Sequence, residues 1–549
     1  MTRHAPHLLF KGIAVVLLAT LAAACANRPP MAGDSVYQLT VLHTNDHHGR
    51  FWRNDDGEYG MAARKTLIDG IRQQVKASGG HSLLLDGGDV NMGVPESDTQ
   101  DAEPDFKGMN LLGYDAMAVG NHEFDKPLSV LNKQQSWIKF PMLSANIYKD
   151  GKRLFKPYHV FDLAGLKVAV IGLTTDDTAK MVDPENVRGI EFRKPAAEAA
   201  SLMGELKRRA HVVIATTHMG HFPDGKSGVL ASGDVEMARA VPGFDLVVGG
   251  HSQNPVCMSA ENKRNEAYVP GTPCAPDRQN GAWIVQAHEW GKYVGRADFE
   301  YRKGELKLLR YELIPVNLKK SVKGADGKSS KVLYGASIAE DPAMLSFLQP
   351  YQDKGRAALD VKVGAVDAKL EGDRALIRRQ PTNLGVMIAT AMKNKAKADV
   401  AIMNAGGVRD SIKAGAVTYK DVLKVQPFSN TLVYVELSGK ELLDYLNAAA
   451  KMSPGSGAFA HFAGVRMTIS AGAVSNVQVG GAALNPQKTY RLALNHFQAN
   501  GGDGYPRLAG HPGFVNTGFV DADVLRGFFA EKPMLSAKDY EPGDAVTRR

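Results

Sequence analysis

Five separated stretches of the chain carry the residues whose types and spacing could do chemistry. Gly120-Asn121-His122-Glu123-Phe124-Asp125 packs an amide, an imidazole and carboxylates into six positions. Asp46 and His48 lie in His43-Thr44-Asn45-Asp46-His47-His48-Gly49, and Asp89 ends Asp86-Gly87-Gly88-Asp89. His218 lies in Thr216-Thr217-His218-Met219-Gly220-His221, and His251 and Gln253 in Gly249-Gly250-His251-Ser252-Gln253. Any one of these, alone, reads as a solvated turn. Together Asp46, His48, Asp89, Asn121, His218, His251 and Gln253 offer seven oxygen and nitrogen donors and no thiolate, which suits two divalent cations sharing one carboxylate. Two such ions about 3.5–4 Å apart stabilise the attacking and leaving oxygens of an in-line phosphoryl displacement and make hydroxide available near neutral pH. His122 then stands as an acid or hydrogen-bond donor, with Asp125 fixing its tautomer and raising its pKa. The competing reading of His122 is a packing residue behind the ligands.

The elements that must hold these groups are short apolar strands. Tyr37–Leu42, Ser82–Leu85, Ala116–Val119, Val212–Ala215 and Leu246–Val248 each run into one of the five polar loops. A sixth run, Val168–Ile171, ends in Gly172 and Asp176-Asp177 without an evident ligand. Helix-compatible stretches such as Ala62–Val75 and Lys194–Arg209 lie between them. Alternation of this kind indicates an α/β domain, and ligands in such sheets gather outside the carboxyl ends of strands. Past residue 320 the texture changes. Lys319 to Lys331 reads as an exposed loop, Ile338 to Leu359 as a connecting helix interrupted near Pro350, and a second mixed α/β domain follows. The expected divisions are 36–335, 336–360 and 361–549.

With 549 residues, two or three domains are expected. A net charge of +8 spread over this length, without clustered Lys/Arg and interleaved aromatics, argues against a nucleic-acid polymer as partner. Arg3 and Lys11 precede an apolar run from Gly12 to Ala24, shorter than the roughly 20 residues needed to span a bilayer. Residues 1–24 therefore read as an export signal. Leu21-Ala22-Ala23-Ala24-Cys25 resembles a lipoprotein processing site, with Cys25 the lipidated residue of a 25–35 leader; the alternative is ordinary cleavage at the same bond, which Ala22 and Ala24 also suit. The expected address is the periplasm, either free or tethered to the outer membrane. Cys257 and Cys274 then suggest one disulfide, a zinc pair being the other use of two thiols.

The five ordered motifs resemble those of the calcineurin-type metallophosphoesterases, and within them the bacterial periplasmic 5′-nucleotidases that also hydrolyse UDP-sugars. The resemblance runs from about residue 36 to the C-terminus. It implies a four-layer αββα sandwich of two mixed sheets, followed by a smaller nucleotide-binding domain. It implies one metal on Asp46, His48 and Gln253, the other on Asn121, His218 and His251, and Asp89 between them. Gln253 stands where the broad superfamily has His; an amide oxygen is the poorer ligand for zinc-like ions, so the first site is expected to be looser. Zinc, manganese, cobalt or magnesium would suit these donors.

The second half carries a candidate nucleotide clamp. Arg374 and Arg378 share a face if that turn is helical. Arg409 follows Asn404-Ala405-Gly406-Gly407, whose glycines, Gly407 included, permit close backbone approach. Read alone, Phe428 and Phe497 are core aromatics; the resemblance makes them base-stacking platforms, with Asp503 accepting from ribose hydroxyls and Asn430 touching the base. The implied function is metal-activated water attack on nucleoside 5′-monophosphates, giving nucleoside and phosphate, and on UDP-sugars, giving UMP and sugar 1-phosphate, in nucleotide salvage by a monomer. A swing of the second domain would carry the nucleotide to the metals. The alternatives are a 2′,3′-cyclic nucleotide phosphodiesterase or NAD pyrophosphatase on the same scaffold, and a non-catalytic nucleotide-binding lipoprotein.

Overall fold

The computed structural model describes Pro29 and residues 35–549, apart from residues 55, 92, 183–185, 223–231, 325–328, 427 and 429. Cys25 and the export segment lie outside the described residues. Among those described, no helix is long and apolar enough to cross a membrane.

Two six-stranded sheets form the first half. One has the order Glu305–Pro315, Tyr293–Arg302, Val36–Thr44, His81–Asp86, Ala116–Ala118, Met142–Leu143. Its last four strands are mutually parallel, and the Tyr293–Arg302/Glu305–Pro315 hairpin adds antiparallel. The other has the order Asp277–Gln279, Ala282–Val285, Leu246–Val248, Val212–His218, Leu166–Thr174, Tyr158–Leu163, parallel at its centre and antiparallel at both edges.

Side-chain alternation along each strand builds the layers. Leu39, Val41, Leu83 and Leu85 meet Val168, Val170, Val212 and Ile214 in an apolar seam between the sheets. The opposite faces, Leu42 and Leu84 on one sheet and Ala169, Ile171, Val213 and Ala215 on the other, pack under helices. Met61–Ala77 and Glu103–Leu112 cover the first sheet, Pro195–Arg209 and Asp234–Ala240 the second. The result is the expected four-layer sandwich. Its core strands are nearly all apolar because they are covered on both sides.

Two elements differ from the reading of the sequence. Lys319–Lys323 and Ser329–Leu333 pair as an antiparallel hairpin rather than forming a bare loop. The helix Pro342–Leu359 continues through Pro350 without a break and packs on Met61–Ala77, Pro95–Asp98 and Glu103–Leu112, burying Met344 and Leu348 in the core of the first unit. Cys257 and Cys274 form the expected disulfide, with Cα atoms 4.8 Å apart.

The second half has a five-stranded sheet, Ala460–Ala463, Val400–Asn404, Thr489–Asn495, Thr431–Ser438, Phe514–Val520, beside a smaller four-stranded one. Asn383–Lys395 and Asp521–Ala530 cover one face of the larger sheet, and Gly439–Ala450 the other. Thr418 with Asp421, and Ser438 with Glu441, make capping boxes that start two of its helices.

Candidate active site

The strand ends bring all seven ligand candidates to one edge of the sandwich. His218 sits at the centre, fully buried at the end of Val212–His218. Its Nδ1–H donates to the Gly87 carbonyl at 2.7 Å, which turns the Nε2 lone pair inward. There Nε2 meets Asp89 Oδ2 at 2.9 Å, Asn121 Oδ1 at 3.1 Å and His251 Nδ1 at 3.2 Å. His48 repeats the pattern. Its Nδ1 faces the Asn91 carbonyl at 3.1 Å, while Nε2 lies 3.7 Å from Asp46 Oδ1, 3.9 Å from Asp89 Oδ2 and 2.7 Å from the Gln253 amide nitrogen. Turning that amide over offers its oxygen at the same place.

Lone pairs that converge this closely in a buried space need a positive charge among them, either a proton or a metal ion. The donor set fits divalent ions. The groups His48–Asp89–His122 and Asp89–His218–His251 each have ligating atoms within 4.8 Å of one another, and Asp89 is common to both. Burial opposes protonation of His218, but Asp89 and Asp46 outweigh it and raise its pKa to about 9. Burial and the charge of His218 push His251 down to about 4. Burial raises Asp89, yet His218 and His122 hold it well below the usual carboxylate range.

Backbone strain marks the same positions. Asp46, His48, Asp89, His251 and Gln253 all have positive φ, between 50° and 76°, though none is glycine. Such conformations cost of order 1 kcal/mol or more each and persist where the surroundings impose them. The surroundings are backbone-tight. A Cβ on Gly250 would stand 2.5 Å from the Gly87 carbonyl oxygen, and one on Gly120 would stand 2.2 Å from Asp89 Oδ1. Asp46 accepts from the His251 N–H at 2.9 Å and from Asn45 Nδ2 at 2.6 Å.

His122 opens a short 3-10 turn, His122–Phe124, directly after Asn121. Its Nδ1 meets Asp125 Oδ2 at 2.5 Å, and its Nε2 lies 3.8 Å from Asp89 Oδ2. Burial opposes its charge, but Asp125 and Asp89 outweigh burial and raise its pKa to about 10.

Two supports escaped the sequence reading. Glu123, 1 % exposed, accepts four backbone N–H groups: Gly120 at 2.7 Å, Asp89 at 3.1 Å, Val90 at 2.9 Å and Asn91 at 3.2 Å. It thereby ties the Asp89 loop to the Asn121 loop. His47 bonds Asp105 at 2.8 Å and the buried Arg64 at 3.0 Å. The only sequence signal was an acid and a His wedged between ligands.

In the second half, Asn404 Nδ2 donates to Asp503 Oδ2 at 2.9 Å, and Asn495 Nδ2 to Asn404 Oδ1 at 2.8 Å. Asp503 has φ 56° and packs against Gly406 and Gly457. Gly407 lies beside Asn404. Arg374, in the helical turn Arg374–Ile377, and Arg409 are near enough to Arg378 to help burial lower its pKa, with Asp503 opposing. The Arg409 guanidinium lies 5.4 Å from the Phe428 ring. Phe428 and Phe497 are 50 % and 44 % exposed, so neither is the core residue its type suggests. Asn430 bonds Asp521 through its side chain and its carbonyl.

The sandwich and its strand-end donor set define a class, the calcineurin-like phosphoesterases, whose family pattern matches residues 39–255; residues 362–510 match the 5′-nucleotidase C-terminal domain. The chain is 57 % identical to protein UshA of Escherichia coli over 98 % of its own length and 99 % of that protein's. It is also 57 % identical to a 5′-nucleotidase of Vibrio vulnificus, over 97 % and 98 %. The chain belongs to the 5′-nucleotidase family of calcineurin-like phosphoesterases. Among solved structures, the NAD nucleotidase of Haemophilus influenzae superposes with a TM-score of 0.74 at 23 % identity, over 94 % of this chain and 100 % of that one, which speaks to the fold. A 5′-nucleotidase precursor of Thermus thermophilus, 29 % identical, superposes at 0.55 over 93 % and 99 %.

Proposed function

We propose that this chain hydrolyses nucleoside 5′-monophosphates to nucleoside and phosphate, and UDP-sugars to UMP and sugar 1-phosphate, outside the inner membrane. The observation that carries this is the meeting of two inward-facing histidine groups at one shared carboxylate, Asp89, in a family of phosphoesterases. Asp46, His48 and Gln253 would hold one divalent ion, Asn121, His218 and His251 the other, with Asp89 shared. Zinc, manganese, cobalt and magnesium all suit such donors. When bound, the pair neutralises phosphoryl charge and acidifies a water.

The chain's own residues do the rest. Asp125 holds the His122 Nδ1 proton, which leaves Nε2 aimed at the reacting group to donate to the leaving oxygen. Cations held at Asp89 would offset its pull on the charged imidazole, leaving His122 able to give its proton up. Arg374, Arg378 and Arg409 supply guanidinium forks for phosphate oxygens. Phe428 and Phe497 expose ring faces on which a base stacks. Asp503, with Asn404 and Gly407 behind it, accepts from ribose hydroxyls, and Asn430 reads the base edge. Because Pro342–Leu359 is packed on the first unit, we place the pivot of any domain swing after Leu359. Export by residues 1–24, with or without lipid on Cys25, completes the reading.

The test is product analysis with AMP, UDP-glucose, NAD and 2′,3′-cyclic AMP on chelator-treated and metal-restored protein. Phosphate from AMP and UMP from UDP-glucose, both lost on stripping and regained with metal, are the expected products. Turnover confined to NAD or the cyclic nucleotide would replace this reading with a pyrophosphatase or phosphodiesterase one.

A further inference from the structure

His496 has no part in the reaction as assigned above, yet its surroundings commit it to a ligand-facing role. It opens the short helix His496–Ala499 and directly precedes Phe497. Its tautomer is fixed by its neighbours. Asn516 Oδ1 accepts the Gly518 N–H at 3.0 Å, which turns Asn516 Nδ2 toward His496 Nδ1 at 3.3 Å. An amide nitrogen only donates, so Nδ1 accepts. The Thr431 hydroxyl, 3.3 Å from the same atom, therefore donates to it as well. The ring proton is left on Nε2, which has no hydrogen-bond partner among the described residues. Burial, with the charges of His122 and Arg507, lowers the His496 pKa to about 4, so the ring is neutral.

The fold says where this N–H lies. Phe514–Val520, the strand that carries Asn516, packs against the short helix Thr178–Met181 of the first unit. The segment around that helix touches the metal edge twice. Thr175 N–H donates to the His218 carbonyl at 2.9 Å, and Asn186 Nδ2 to the Asp125 carbonyl at 2.8 Å. His496 thus stands at the junction between the ring of Phe497 and the His122–Asp125 pair. In this arrangement of the domains, a nucleotide whose base rests on Phe497 and whose phosphorus lies at the metal edge would run its 5′ end past that junction.

We propose that the Nε2–H of His496 hydrogen-bonds a phosphate oxygen at the 5′ end of the bound nucleotide, so that the second domain grips the ester junction as well as base and ribose. The inference rests on the nucleotide reading given above. An N–H bond to a charged oxygen is among the stronger hydrogen bonds. It is made on binding as well as in the transition state, so its loss shows chiefly in KM.

The test compares His496→Phe and His496→Gln with the parent enzyme, metal-loaded, on AMP and on p-nitrophenyl phosphate, which has no nucleoside for the second domain to hold. Gln keeps an N–H near the Nε2 position. His496→Phe is expected to raise KM for AMP at least tenfold with kcat within threefold. His496→Gln is expected to recover most of the loss. An unchanged KM for AMP, or no recovery by Gln, would overturn the proposal. Parent enzyme that splits the aryl phosphate but not AMP would instead overturn the nucleotide reading, and this inference with it.

Discussion

Replacing Glu123 by Gln should weaken metal binding while leaving the chemistry of the loaded enzyme largely intact. Glu123 Oε2 accepts the Gly120 and Asp89 N–H groups, and Oε1 accepts those of Val90 and Asn91. Gln keeps one acceptor oxygen and turns the other into an NH2, so two buried N–H groups face a donor. Each unsatisfied buried group costs about 1–3 kcal/mol, so the native loop geometry is disfavoured by about 2–6 kcal/mol. The chain can escape by letting the Asp89 loop relax from its positive φ. Metal ions must then restore that loop from their own binding free energy. At about 1.4 kcal/mol per decade, affinity should fall by roughly 30-fold to 10⁴-fold if the loop relaxes fully, and by less if relaxation is incomplete. Calorimetric titration of chelator-treated E123Q and parent protein with manganese measures this, alongside kcat for AMP at saturating metal. The expected result is weaker binding with kcat restored to within about tenfold. Unchanged affinity would refute the argument that Glu123 holds the Asp89 loop. Intact affinity with lost kcat would show that it acts on substrate instead.

Three further outcomes follow from other parts of the molecule. His122→Ala should lower kcat by roughly two to four decades with both metals retained, as counted by elemental analysis; an unchanged kcat would reject the acid role. His461 is buried, donates from Nε2 to the Ile377 carbonyl at 2.9 Å, and is held at about pKa 4 by burial against an ordinary 6.5. Because the unfolded chain takes the proton first, its contribution is complete above pH 6.5 and is lost as pH falls toward 4, about 3 kcal/mol in all. Denaturant unfolding at pH 7 and pH 5 should show a shallower decline in His461→Gln than in the parent; equal declines would contradict it. Replacing Cys257 and Cys274 by Ser opens a link spanning 17 residues and should cost about 3 kcal/mol of stability. Denaturant midpoints that do not move would count against that.

The candidate site was legible because its candidate ligands follow apolar strands at predictable places. Asp46, Asp89, Asn121, His218 and His251 could each be found from a run of Val, Leu or Ala ending in glycine and polar residues. The two-sheet architecture was not contained in that pattern; strands buried on both faces look alike whether they form one sheet or two, and only the resemblance separated the cases. Glu123 was invisible as a clamp because its partners are backbone N–H groups brought together by tertiary packing. Arg64 was equally hidden, as a cation on the covered face of a helix whose partner, His47, reads as one more loop residue. Phe428 and Phe497 went the other way. Their residue type argues for the core, and exposure comes from a turn at Phe428 and a one-turn helix at Phe497 whose course no local periodicity records. The stretch from Lys319 to Lys331 reads as a loop because Lys, Gly and Ser dominate it, whereas Lys319–Lys323 and Ser329–Leu333 pair in antiparallel register, with Lys319 opposite Leu333.

The central claim is that five loops distant in the chain converge on two cations bridged by one carboxylate. Native mass spectrometry of the manganese-loaded protein, parent and Asp89→Ala, tests it most directly. Two ions per chain in the parent, with both weakened when Asp89 is removed, are expected. A single ion in the parent, or two that survive loss of Asp89 undiminished, would contradict the account.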